Sequence, residues 1–185
     1  DAMVPLLREF KARSRLDFIN LRSAEGRLLF TDSGPVDGVP SGLAGMPAAG
    51  DIDRTSVERL EPAELALVAP ALSEQVPIAL VETSNAAPDP RAREERALVL
   101  LSTHAVRARD GRVLGHVQGG VLLNRNLPFI DHINEIVYPE GSLPFGSVGT
   151  ATLFLGDVRV STNVRLFSHD GTDRAIGTRV SQTVR

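Results

Sequence analysis

Residues 97–123 read ALVLLSTHAVRARDGRVLGHVQGGVLL, and this stretch decides the fold class. Two long runs, Ala97 to Arg107 and Arg112 to Leu123, flank Arg109-Asp110-Gly111. An Asp-Gly pair between apolar runs is a hairpin turn, because glycine takes the positive φ that matches the right-handed twist of paired strands. Gly115, Gly119 and Gly120 inside the second run mark bulges or places where something comes close to the backbone. The pairing is therefore antiparallel and long. His104 and His116 lie on its two facing strands and are candidate binding residues. A catalytic role for either needs a nucleophile and an orienting carboxylate beside it.

Upstream of this hairpin, Met3, Leu6, Leu7 and Phe10 recur at helical spacing and predict a helix over about Ala2–Arg15. Short strands over 17–21 and 27–31 follow, joined by the turn Ser23-Ala-Glu-Gly26. Residues 32–50, rich in Gly and Pro, read as a long loop. Asp53 is a fitting N-cap for a short helix through Leu60, and Pro62 opens another whose apolar face is Leu65, Val68 and Leu72. Ile78 to Val81 reads as a short strand, and the polar stretch 84–96 as a surface loop. Downstream, Asn126 caps a helix with Pro128 near its start and Phe129, Ile130, Ile133, Ile136 and Val137 on one face. Strands over 150–155, 158–164 and 174–178 complete the chain. Hairpins with helices inserted between them make an α+β fold and not a doubly wound parallel sheet.

Composition removes several functions. The chain has 185 residues, 42% apolar and 23% charged, enough for a real core. A net charge of -3 and 4% aromatics with no Trp leave neither a basic field nor stacking platforms, so nucleic acid is not an expected partner. Without cysteine there is no disulfide framework, thiolate metal site or cysteine nucleophile. No apolar window is long enough to span a membrane. The start at Asp1, without a leader, reads as a soluble segment of a larger protein.

Chemical motifs are few. Nucleophile elbows, Walker loops, dinucleotide glycine patterns and HExxH are missing, and no cofactor or metal is expected. His132 and Glu135 share a helical face but supply only two ligands, so a surface pair accounts for them. His169-Asp-Gly-Thr-Asp173 lacks calcium-loop spacing and reads as a polar turn. The C-terminal third holds Arg159 and Arg174 among Thr162, Thr178 and other hydroxyl and amide residues. A guanidinium fork with neutral donors is what a small carboxylate site requires, although solvent-facing alternation explains the same pattern.

These segments resemble a known family. Arg112–Arg125 (RVLGHVQGGVLLNR), Ile130-Asp131, and the block Gly149–Ser181 are similar to Cache-type, extracellular PAS-like sensor domains of bacterial chemoreceptors and histidine kinases. The resemblance implies a central antiparallel sheet with a long N-terminal helix on one side and a ligand pocket on the other. It also implies a periplasmic input module held between transmembrane helices, a single domain over 1–185 with an N-terminal helix (1–16), a core (17–148) and C-terminal strands (149–185). Double-Cache relatives normally continue after the segment matching 174–179 into more sheet and a return to the membrane; the given sequence ends at Arg185, which the resemblance reads either as a single compact sensor unit or as one without its membrane-proximal part.

The expected function is a non-enzymatic periplasmic sensor that binds a small organic anion such as a short carboxylate. Expected ligand contacts are Arg159 or Arg174 with Thr162 or Thr178, or the glycine-lined face near His104 and His116. The alternative is a sensor-like scaffold working through a homodimer or a partner protein, for which the amphipathic N-terminal helix supplies an apolar stripe. A hydrolase rests on the histidines alone and needs one within reach of a Ser, Asp or Glu inside a cleft.

Overall fold

The computed structural model describes residues 3–39, 53–83, 85–166 and 173–181. The predicted hairpin is present as β7 (Ala97–Arg107) and β8 (Val113–Leu122), with Gly111 at φ 86° in its turn. The chain forms two compact units, one of Asp1–Gln75 with Ala97–Leu122, the other of Val76–Arg96 with Leu123–Arg185.

In the first unit the hairpin recruits strands on both sides. β1 (Phe18–Ser23) pairs antiparallel with β8, and β2 (Leu28–Thr31) and β3 (Gly34–Val39) extend that edge. β4 (Asp53–Leu60) pairs with β7, giving the order β3-β2-β1-β8-β7-β4. Gly120 is one of the close approaches expected from the glycines: a Cβ there would meet the Phe18 ring at 2.3 Å. α1 (Met3–Arg13) is tied to the sheet by Lys11, which is ion-paired with Asp32, and by Arg8, whose Nε donates to the Asp32 carbonyl at 2.8 Å. α2 (Pro62–Val68) begins with a reciprocal Glu61–Glu64 capping box and buries Leu65 and Val68, as its spacing predicts.

Two expectations for this unit are corrected. Asp53 does not cap a helix; residues 53–60 are β4, paired residue for residue with β7 from His104 to Ala97. Thr55 and Val57 are β-branched and alternate with polar neighbours, and the free edge of β7 supplied the partner that local capping chemistry did not reveal. The loop predicted over 32–50 contains β3, where Gly34 and Pro35 start the strand at a sheet edge, the position at which Pro is tolerated. The remainder of that loop, from residue 40, lies outside the described residues.

In the second unit, α3 (Leu127–Val137) starts as expected: Asn126 Oδ1 accepts from Phe129 N at 3.1 Å and Ile130 is buried. β9 (Thr152–Leu155) and β10 (Val158–Thr162) form a hairpin, and β5 (Ile78–Ala79) pairs with β6 (Arg93–Glu94). The strand predicted over 174–178 is absent as a regular element. Arg174 and Arg179 make isolated bridges to Arg165 and Val158, with Arg159 and Thr178 sharing a backbone bond at 2.9 Å. Gly177 interrupts regularity at φ 83°, and a Cβ there would lie 2.3 Å from the Ala79 carbonyl oxygen. The stretch 84–96 is not simply a surface loop, since it contributes β6 and buries Glu94 among arginines. Opposite charges packed against each other make a polar sequence compatible with an interior. The protein is thus α+β, with a six-stranded antiparallel sheet in its first unit and a helix at the N-terminal end.

Candidate functional site

β1 reads FINLRS, and alternation divides it into two faces. Ile19 and Leu21 point toward α1 with Val117 and Gly119, lining one wall of an apolar groove of about 680 Å³. Asn20 and Arg22 share the other face with Gln118, Thr103 and His116, and all five are buried. A polar row on a buried sheet face is costly unless each group has a partner.

Arg22 is only 1% exposed. Its Nε and Nη2 donate to Gln118 Oε1 at 3.1 and 3.0 Å, and Nη1 donates to the Gly26 carbonyl at 3.2 Å. Gln118 Nε2 in turn donates to Thr103 Oγ1 at 3.2 Å. Every acceptor on the guanidinium is neutral; among the described residues no carboxylate faces it. Burial lowers its pKa to about 10, so it remains a cation at neutral pH. A group that holds its proton less tightly when folded destabilises the fold while charged, and a bound anion would reverse that cost.

The two hairpin histidines separate. Ala105 lies opposite His116 and Val117 opposite His104, so the two rings occupy different faces. His116 is buried and its Nδ1 donates to the Ser23 carbonyl at 3.2 Å. His104 is exposed: Nδ1 lies 3.1 Å from Asp53 Oδ1 and Nε2 lies 3.1 Å from Ser102 Oγ. That sequence of contacts is the order of a Ser–His–Asp relay, and the hydrolase expectation meets its proximity criterion. Ser102, however, sits mid-strand between β4 and β8, with ladder pairing on both sides, and its hydroxyl also meets Thr55 at 2.8 Å. Ladder amides are not available as an oxyanion hole, so these side chains act as a cross-strand polar ladder.

The expected C-terminal contacts all fall in the second unit. β10 carries a bulge between Arg159 and Ser161, so Arg159 pairs with Phe154 and Thr162 with Thr152. The bulge thereby returns Arg159 and Thr162 to one face, which plain alternation forbids. Arg159 Nη1 donates to Thr178 Oγ1 at 2.7 Å, and its guanidinium lies 5.2 Å from the Phe154 ring centre. The structure therefore brings a fork and a hydroxyl together here, with Arg159 Nε buried and unpartnered. Thr162 is engaged with Thr152 at 2.6 Å. Arg174 makes a two-pronged pair with Asp131 at 2.6 and 2.8 Å, and that hydrogen bonding holds the Asp131 carboxyl below its ordinary range. The carboxylate in the Arg174 fork is the protein's own.

A denser ion cluster surrounds residues 89–96. Arg179 donates through Nε and Nη2 to Asp157 at 3.0 and 2.7 Å and through Nη1 to the Ala87 carbonyl at 2.6 Å. Arg91 joins Asp89 and Glu94, and Arg96 closes on Glu94 at 2.7 and 2.6 Å. Burial alone pushes Glu94 up, but the Arg96 hydrogen bonds and the charges of Arg96 and Arg91 outweigh it, leaving the carboxyl below its ordinary 4.5. A depressed carboxylate stabilises the fold above the unfolded pKa and loses that contribution as pH falls toward the folded value. Urea midpoints should accordingly hold between pH 7 and 5 and decline from about pH 4.5 downward, with a shallower decline in Glu94→Gln. Equal acid slopes in the two proteins would show that Glu94 does not carry this dependence.

Asn20, Arg22, Gln118 and Thr103 were not legible as site residues. Polar residues at alternate positions of a strand read as its solvent face, and nothing in FINLRS distinguishes a second buried face.

Among known proteins, residues 121–185 match the family model described as single Cache domain 3, which shows the Cache-type resemblance over that segment. The periplasmic domain of Vibrio cholerae LuxQ superposes with a TM-score of 0.39 at 14% identity, covering 94% of this chain and 70% of that one. No curated protein matches the chain.

Proposed function

We propose, from the premise that residues 121–185 are a Cache-type sensor segment, that the chain is one extracytoplasmic signal-input domain of a membrane receptor. In this reading it binds a small anion such as a short carboxylate on the polar sheet face of the first unit. Flanking transmembrane helices and a cytoplasmic signalling part complete the receptor, and the domain itself catalyses nothing. The observation that carries the site is Arg22, a buried guanidinium with neutral partners only among the described residues. A buried unpaired cation persists where a ligand supplies the counter-charge.

Arg159 with Thr178 supports a second anion position, since the fork and hydroxyl meet there and Arg159 Nε is unpartnered. A homodimer through α1 finds support in Leu6 and Phe10, which are 60% and 49% exposed on that helix.

A thermal-shift screen of organic acids, amino acids and inorganic anions tests the ligand reading. A ligand at a hundred times its Kd adds about 2.7 kcal/mol, or roughly 5–10 °C for a chain of this size. No shift from any anion at millimolar concentration would overturn it.

A further inference from the structure

The sheet face toward α1 changes character from strand to strand. One cross-strand row runs from Leu21 on β1 through Val117 on β8 and His104 on β7 to Asp53 on β4. The next runs from Ile19 through Gly119 and Ser102 to Thr55. Both rows are apolar on β1 and β8 and turn polar on β7 and β4. The groove of about 680 Å³ lies across this change. Phe10 of α1 lines it with Ile19, Leu21 and Val117, and Ser102 and His104 line it from β7.

Size, charge and exposure restrict what the groove can hold. Its volume is that of a small-molecule site, which runs from about 300 to 1,000 Å³. Among the described residues no Arg, Lys, Asp or Glu lines it, so a charged molecule would be desolvated there without a counter-charge. Leu6 and Phe10 line it and are 60% and 49% exposed, and an apolar occupant would take that surface out of water.

The polar strand adds a direction. His104 Nδ1 donates to Asp53 Oδ1 at 3.1 Å, so in the neutral ring Nε2 is an acceptor. Ser102 gives its proton to Nε2 at 3.1 Å, and its oxygen accepts from Thr55 at 2.8 Å. A hydroxyl oxygen has two lone pairs, and the second on Ser102 has no partner among the described residues. That lone pair requires a donor. An alcohol supplies one and a ketone does not. A carboxylate does not either, and it would meet the negative charge of Asp53 beyond His104.

We propose that the groove between α1 and β7 is a ligand site for a neutral amphiphile, an apolar alcohol whose chain packs on β1 and β8 and whose hydroxyl donates to Ser102 Oγ. The site shares no residue with the Arg22 face and stands whether or not that face binds an anion.

Methyl NMR of the protein titrated at pH 8 with 1-hexanol tests this, with 2-hexanone and hexanoate as the acceptor-only and anionic analogues. Affinities are read from the Leu7, Ile19, Leu21 and Val117 methyls, which report on the groove alone. The expected result is saturable shifts of these methyls, with 1-hexanol binding about 3- to 10-fold tighter than either analogue. Ser102→Ala removes that margin while the same methyls still shift, and Ser102→Thr retains it. Shifts that do not saturate, or equal affinities for all three compounds in the wild type, overturn the inference. A Ser102→Ala protein that keeps the preference, or that binds none of the three, also overturns it. So does a wild-type protein that sediments as a dimer and shifts the same methyls on concentration alone, because a second copy then fills the groove.

Discussion

Arg22→Met is expected to abolish anion binding while leaving a folded protein. Among the described residues Arg22 has no carboxylate to strand when it is removed; its partners there are the Gln118 amide oxygen and the Gly26 carbonyl. Replacing a desolvated charge by an apolar side chain of similar length is often neutral for stability, so the urea midpoint should move little. Binding is different, because the ligand's carboxylate would lose the guanidinium that supplies its counter-charge and enter a buried site. Truncating one partner of a buried charge pair costs about 2–5 kcal/mol, a fall of roughly 30- to several-thousand-fold in affinity. A short carboxylate that raises the melting temperature of the wild type, titrated into Arg22→Met by calorimetry, should therefore give no measurable heat at concentrations that saturate the wild type. Arg22→Lys keeps the charge but not the fork and should recover only part of the affinity. Wild-type affinity in Arg22→Met would move the anion site to Arg159 and Thr178.

The largest loss of stability is expected from Arg179→Ala. Its side chain is 9% exposed and that of Asp157 8% exposed, and the two share a pair of hydrogen bonds at 3.0 and 2.7 Å. Removing the arginine takes both of these hydrogen bonds from Asp157, to which Arg91 lies 3.6 Å away, and frees the Ala87 carbonyl from its donor. Breaking a buried pair from one side typically costs about 3–5 kcal/mol, several times the worth of a surface ion pair. Urea unfolding measures the difference, and Asp157→Asn in the same background tests its origin. If the loss comes from the stranded carboxylate, the double variant should be more stable than Arg179→Ala alone. A loss below about 1 kcal/mol would mean that water reaches Asp157 freely.

Legibility in the sequence followed the range of the interactions involved. The β7–β8 hairpin, α2 and α3 are encoded within a few residues: Asp-Gly at a turn, Pro at a first helical position, Asn126 beneath Phe129. Residues 53–60 were misread because Asp53 is a good helix cap in isolation, and only the unpaired edge of β7 makes DRTSVERL a strand. The polar face was hidden for a related reason. Asn20 and Arg22 alternate with Ile19 and Leu21 as they would on a half-exposed strand, and their neighbours on β8 lie about a hundred residues away in the sequence. The Arg/Thr pattern near the C-terminus did lead to a real meeting, Arg159 with Thr178. It could not show that Asp131, from α3, already fills the Arg174 fork.

The interleaving of the two units constrains the order in which the protein is made. β1 leaves the ribosome well before its partner β8, which follows about a hundred residues later, with Asn20 aligned on Gln118. Until then β1 can pair only with β2, and a lone hairpin of that kind is marginal in water. Closing so long a loop carries a slow entropic penalty, and contacts of high sequence separation fold late. The second unit waits longer still, because residues 76–96 are synthesised well before Arg179, which pairs with Asp89 and Asp157. Half-finished chains therefore expose β1 and the charged segment without their counterparts. Any pause in synthesis before residue 113 holds the chain in its most aggregation-prone form.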